Sequence, residues 1–207
     1  MTPRPDIEAV VFDLGGVVLD VRMAAGLAVW AERAGFDARQ AMARLRADRR
    51  YEHLERGQIA PADYHRHVLG LLGGTLSYDD FLAGWNAVFF GYLPGAAELL
   101  DRLAGRVRLG CLSNTNAAHA EFFLGAYPDL AGRFETMVLS HRIGARKPEP
   151  ASYRAVVDAM DLAPQRVAFV DDRPENIAAA EAMGFVGILA AGSAGIEAHL
   201  RRLGVLS

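Results

Sequence analysis

Asp13 stands at the end of the run Ala9-Val10-Val11-Phe12, and a carboxylate placed there is costly unless it is paired, coordinated or exposed at the end of a strand. Three more apolar runs close on polar groups, at Ser113-Asn114, Ser140-His141 and Asp171-Asp172. Lys147 lies between Gly144 and Pro148, a spacing that suggests a fixed turn under its charge. Any one of these acids or hydroxyls could be a helix N-cap. The set argues for a ligand site built at strand ends, where coordination, ion pairing and nucleophilic chemistry are open to such groups.

The apolar runs that must position them fall near residues 8–14, 107–113, 136–140, 167–171 and 186–190. Helical patterns follow or separate them at about 94–104, 117–126, 150–161 and 174–183. This alternation predicts an α/β fold, a parallel sheet with helices on both faces. In such sheets ligands bind beyond the carboxyl ends of the strands, where four of the five runs carry their polar groups.

The interval from Val21 to about Leu93 shows no strand pattern. It reads as amphipathic helices over Met23–Ala34, Ala38–Glu55, Pro61–Leu72 and Tyr78–Phe90, punctuated by Gly35, Gly57, Gly73-Gly74 and Pro94-Gly95. The expected organisation is a core of residues 1–20 and 94–207, with an all-helical cap of residues 21–93 inserted after the first strand. Hinges are expected near 17–22 and 90–95.

At 207 residues, 52% hydrophobic and 23% charged, the chain suits one large domain or a domain with an insertion. A net charge of −3 gives no general attraction to nucleic acid or an anionic membrane. No apolar run reaches signal-peptide or membrane-span length, and the lone Cys111 excludes an intramolecular disulfide, so a cytoplasmic location is expected.

Four segments, in order, resemble the motifs of the haloacid dehalogenase-like hydrolase superfamily. They are Phe12-Asp13-Leu14-Gly15-Gly16-Val17, Leu112-Ser113-Asn114-Thr115-Asn116, Arg146-Lys147-Pro148 and Val170-Asp171-Asp172-Arg173-Pro174-Glu175-Asn176. The runs Glu55-Arg56-Gly57-Gln58-Ile59, Gly84-Trp85-Asn86-Ala87-Val88-Phe89 and Gly144-Ala145-Arg146-Lys147-Pro148-Glu149 are similar to the branch containing bacterial α-D-glucose-1-phosphate phosphatase. Such a resemblance implies a Rossmann-like core and a Mg²⁺-dependent phosphatase acting on a small phosphorylated metabolite, with sugar phosphates favoured. A monomer or weak homodimer is expected, with no nucleic-acid or membrane partner.

On that resemblance Asp13 is the nucleophile, forming an aspartyl-phosphate that water hydrolyses. Mg²⁺ would be held by Asp13, the Gly15 carbonyl and Asp172, with Asp171 either coordinating through water or orienting Lys147. Ser113 and the backbone N–H groups of Leu14, Gly15 and Asn114 would cradle the phosphate, and Lys147 would add positive charge. Asn176 is expected to support the metal site or the helix start. Thr115 and Asn116 could reach substrate, as could His53, His65, His67, Trp85 and Phe89 from the cap. Asp20 is expected to serve the hinge or cap its start.

Most phosphatases of this kind place an acid two residues after the nucleophile; here that residue is Gly15. The backbone carbonyl survives the change and the carboxyl does not. A missing proton donor costs about 10²–10⁴-fold in rate unless something replaces it. Three readings follow: a phosphatase with another proton source, a metal-free 2-haloacid dehalogenase, or a phosphate- and Mg²⁺-binding protein with little turnover.

Overall fold

The computed structural model describes residues 6–35 and 37–207. Residues 1–5, at the start of the expected core, and Phe36 lie outside the described residues. Five parallel strands form the main sheet: β1 (Ala9–Phe12), β4 (Arg108–Ser113), β5 (Thr136–Leu139), β6 (Val167–Asp171) and β7 (Val186–Leu189), in the order β5-β4-β1-β6-β7. With β1 central, the connections run outward to either side of it. The carboxyl ends of β1, β4 and β6 therefore meet at the switch point where such sheets bind ligands.

The continuous apolar runs follow from burial on both sheet faces. Val10 and Phe12 of β1 enter one core with Leu109 and Cys111 of β4 and with Leu99, Leu100 and Leu103. Ala9 and Val11 enter another with Val167, Phe169, Tyr153 and Val156. Side chains alternate between faces with a period of two, so every position of β1 is buried.

The first of these faces is covered by α6 (Ala96–Leu103), α7 (Ala117–Ala126) and α11 (Gly192–Arg202), the second by α9 (Pro150–Met160) and α10 (Pro174–Ala182). The short α8 (Ser140–Ile143) follows β5 directly. Pro150 and Pro174 occupy the first turns of α9 and α10, where their missing N–H leaves no helical bond unmade. α8 and α11 have no counterpart in the sequence expectation.

After β1 come β2 (Leu19–Val21) and five helices: α1 (Met23–Ala34), α2 (Ala38–Arg46), α3 (Arg50–Glu55), α4 (Pro61–Leu72) and α5 (Tyr78–Asn86). They have a core of their own, including Leu27, Trp30, Tyr64, Phe81 and Trp85. The expected single helix over Ala38–Glu55 is two. Asp48 breaks it, because its carboxylate accepts the Arg50 N–H at 3.0 Å in competition with a continuing helix.

The interval expected to lack strands also contains β3 (Phe89–Tyr92), antiparallel to β2. The outgoing and returning chains pass side by side there and satisfy each other's main-chain groups. Arg22 N–H donates to the Val88 carbonyl at 2.8 Å and Leu93 N–H to the Val18 carbonyl at 2.9 Å. Asp20 lies in β2 and pairs with Arg22 at 2.6 Å. Among the described residues no helix is long and apolar enough to cross a membrane.

Candidate active site

The Asp13 N–H donates to the Val170 carbonyl at 2.8 Å, so the β1–β6 ladder continues one residue beyond β1. One step on, that register sets Asp13 opposite Asp171 of β6 and, on the other side, opposite Leu112, one residue before Ser113 closes β4. Lys147 arrives from the loop before α9 and is 1% exposed, a position tolerable for an ammonium group only with anionic partners. Its Nζ stands 2.7 Å from Asp13 Oδ1 and 2.7 Å from Asp171 Oδ2.

Asp171 is fully buried and densely bonded. Besides Lys147 it accepts from Asn176 Nδ2, at 2.9 Å on Oδ1 and 3.0 Å on Oδ2, and from the Arg173 N–H at 2.9 Å. Asn176 thus supports the acid cluster from the first turn of α10. Asp172 is exposed, and one oxygen of each of Asp13, Asp171 and Asp172 lies within 4.8 Å of the others.

One lysine therefore balances three carboxylates. Burial pushes the Asp13 carboxyl up to about 6, against the pull of Lys147 and with a further push from Asp171. Partial desolvation of its carboxyl against the cluster, then the Asp171 charge, also raises Asp172. Burial alone would lower Lys147, but Asp13 and Asp171 outweigh it and hold the ammonium charged. Two carboxylates raised by desolvation, with negative charge left over, are a donor set that fits a hard divalent cation.

Gly16, at φ +83°, lies against this cluster: a Cβ there would come within 2.7 Å of Asp172 Oδ2. Gly15 has its own constraint. A Cβ at residue 15 would meet Val21 Cγ2 of β2 at 3.2 Å, so the strand pair crowds the place where an acidic side chain would start.

The Leu14 N–H, expected to serve phosphate, instead donates to Asp13 Oδ1 at 2.7 Å. Ser113 closes β4 and is 4% exposed. Asn114 does something its sequence position does not reveal. Its Oδ1 accepts the Lys147 N–H at 2.7 Å and its Nδ2 donates to the Lys147 carbonyl at 2.9 Å, across 33 residues of chain. Ser140 acts similarly on Thr115, its hydroxyl accepting the Thr115 N–H and donating to the Thr115 carbonyl, each at 2.9 Å.

Asn116 does not reach toward substrate. It is fully buried, caps α7 by accepting the His119 N–H at 3.1 Å, and accepts from Trp85 Nε1 at 3.2 Å. His119 Nε2 donates to the Trp85 carbonyl at 2.9 Å, tying α7 to α5. Arg146 Nε donates to Glu55 at 2.7 Å and Arg56 Nε to Glu149 at 2.9 Å, two further links between the inserted helices and the sheet domain.

The other expected contacts from the inserted helices divide. Trp85 lines, with Tyr51 and Glu52, a cavity of about 370 Å³, whose wall also includes Arg146 and Arg173, the chain neighbours of Lys147 and Asp172. His65 bonds the Leu76 carbonyl at 2.8 Å, His67 bonds Asp48 at 2.9 Å, and His53 pairs with Gln58, so these histidines serve the insertion's own structure. Phe89 packs on Phe122, Phe123 and His119.

A family model described as haloacid dehalogenase-like hydrolase matches residues 7–184. A D-ribitol-5-phosphate phosphatase of Bacteroides thetaiotaomicron is 24% identical over 185 residues, covering 86% of this chain and 89% of that protein. A sesquiterpene phosphatase of Aspergillus oryzae is 30% identical over 164 residues, covering 74% and 78%. A HAD family enzyme of B. thetaiotaomicron, solved with magnesium and inorganic phosphate, superposes with a TM-score of 0.80 at 24% identity, over 88% of this chain and 93% of that one. This last likeness is one of fold. None of these names supports the narrower similarity to α-D-glucose-1-phosphate phosphatase.

Proposed function

The chain belongs to the haloacid dehalogenase-like hydrolases, and from that membership and its Asp13 site we propose that it is a Mg²⁺-dependent phosphatase of small phosphate monoesters. The carrying observation is charge: Lys147 sits between Asp13 and Asp171, and Asp172 adds a third carboxylate within 4.8 Å.

In this reading an Asp13 oxygen attacks phosphorus, the bond to the leaving oxygen breaks, and that oxygen takes up a proton. Water then attacks phosphorus and frees both phosphate and the Asp13 carboxylate. Lys147 and Ser113 hold phosphoryl oxygens, with the Gly15 and Asn114 backbones around them. Asp13, Asp172 and the Gly15 carbonyl would hold Mg²⁺, while Asp171, whose oxygens already accept from Lys147, Asn176 and Arg173, orients the lysine. Bound Mg²⁺ would offset the repulsion between an anionic nucleophile and an anionic substrate. Residue 15 has no acid to give, so the leaving group's proton comes from elsewhere: water, the substrate or an inserted helix. The inserted helices act as a cap that reads the part of the substrate beyond its phosphate.

A metal-free dehalogenase would have to attract a carboxylate substrate to a cluster whose lone lysine is outnumbered by three acids, which favours the phosphatase. Purified protein given Mg²⁺ and a panel of phosphate monoesters tests this directly. Release of phosphate, lost on chelation, supports the proposal; halide release from 2-haloacids that persists in chelator would contradict it. Among the relatives' names the ribitol phosphate favours the sugar-phosphate expectation and the sesquiterpene an apolar alcohol, and together they support the monoester class.

A further inference from the structure

The cavity of about 370 Å³ among the inserted helices has the size of a small-molecule site. Its wall is made largely by Leu27, Trp30, Met42, Leu45, Trp85 and Val88. Close approach of α1 and α5 shapes it. A Cβ on Gly84 would fall 2.2 Å from Trp30 Cδ1, so glycine there lets Trp30 and Trp85 stack with centroids 5.7 Å apart.

Four of the five charged groups of the wall, Asp48, Glu52, Arg146 and Arg173, are already paired. Asp48 accepts from the Tyr64 hydroxyl at 3.0 Å and from His67 at 2.9 Å. Arg146 pairs with Glu55 at 2.7 Å and with Glu52 at 3.8 Å, and Arg173 donates to Glu175 at 2.8 Å. Arg46, the remaining charged residue of the wall, is exposed. A polyol entering this space would exchange water for polar partners that the wall, Arg46 apart, has committed elsewhere. An apolar group would gain from every methylene it buries there.

We propose that this cavity seats the alcohol portion of the substrate and that the alcohol is apolar, of the medium-chain alkyl or prenyl kind, in place of a sugar or polyol. Arg146 and Arg173 in the wall are the chain neighbours of Lys147 and Asp172, which sets the cavity on the side of the Asp13 cluster. This substrate class rests on the phosphatase reading above, whereas the affinity of the cavity for an apolar alcohol does not.

Two measurements separate the claims. Both tryptophans of the chain line the cavity, so intrinsic emission follows its occupancy without any phosphate chemistry. Titration with decanol is expected to change that emission in a saturable way and titration with ribitol to leave it unaltered; the reverse, or no response to decanol, overturns the proposal. In turnover with Mg²⁺, decyl phosphate should exceed ribitol 5-phosphate in kcat/KM by about tenfold or more. The variant Met42→Arg should shrink that ratio, and a higher kcat/KM for the ribitol ester overturns the substrate class. If neither any phosphate ester nor the more reactive acetyl phosphate releases phosphate, the phosphatase reading fails and the decanol titration still decides the cavity.

Discussion

Asn114 grips the main chain of Lys147 at two points, accepting its N–H at 2.7 Å and donating to its carbonyl at 2.9 Å. The lysine's charge is thus positioned by an amide at the end of a neighbouring strand. Asn114→Ala should lower kcat by about 10²-fold through misplacement of Nζ. It should also cost about 1–3 kcal/mol of stability for the main-chain groups left unpaired. Steady-state kinetics and denaturant unfolding read the two effects, and an unchanged kcat would show that the grip has no part in turnover.

Lys147→Met removes the one cation between Asp13 and Asp171. Breaking a buried pair of this kind costs about 3–5 kcal/mol at neutral pH. Without the lysine, Asp13, already raised to about 6, moves higher still, so the folded chain holds a proton that the unfolded chain releases. Stability of the variant should therefore recover as pH falls from about 8 to about 5. Thermal unfolding across that range checks the sign; a variant that weakens further on acidification contradicts it.

Gly16→Ala would force a methyl group to within 2.7 Å of Asp172 Oδ2 at a backbone φ of +83°. The expected result is a loss of Mg²⁺ affinity of about 10–100-fold, the usual cost of disturbing the surroundings of a metal ligand. Calorimetric Mg²⁺ titration of the variant and the parent makes the comparison, and equal affinities would remove Asp172 from the proposed site.

His119 joins α7 to α5, and its burial pushes the imidazole down to about 4, against the hydrogen bond to the Trp85 carbonyl. The unfolded chain takes up a proton near 6.5 and the folded chain resists until about 4, so this neutral histidine stabilises the fold above 6.5 and the contribution fades as pH falls through that window. Its full size is about 3 kcal/mol. His119→Phe should flatten the dependence of unfolding free energy on pH between about 6.5 and about 4. A slope equal to that of the parent would place the titration elsewhere.

The sheet was legible because burial on both faces leaves apolar runs such as Ala9–Phe12, and because the polar groups that end them are visible as interruptions. The meeting of Asp13 with Asp171 and Asp172 was legible from the strand ends that carry them, and Lys147 joined them through the order of motifs. Other contacts between elements were hidden, since composition carries no distance. Nothing local in Asn114 points to Lys147, nor in Asn116 to Trp85; each pair is brought together across more than thirty residues of chain. The strand Phe89–Tyr92 was masked by aromatic residues that also suit a helix end, and it forms because β2 lies alongside to accept it.

The covalent role of Asp13 is open to a direct chemical reading. Enzyme quenched during turnover of a phosphate monoester with Mg²⁺, then treated with borohydride, should carry homoserine at position 13, since the hydride reduces an aspartyl-phosphate and leaves a free carboxylate alone. Asp13→Asn should give neither phosphate release nor reduction. Steady phosphate release with an unmodified residue 13, or turnover by Asp13→Asn at the parent's rate, would contradict the assignment of Asp13 as the nucleophile.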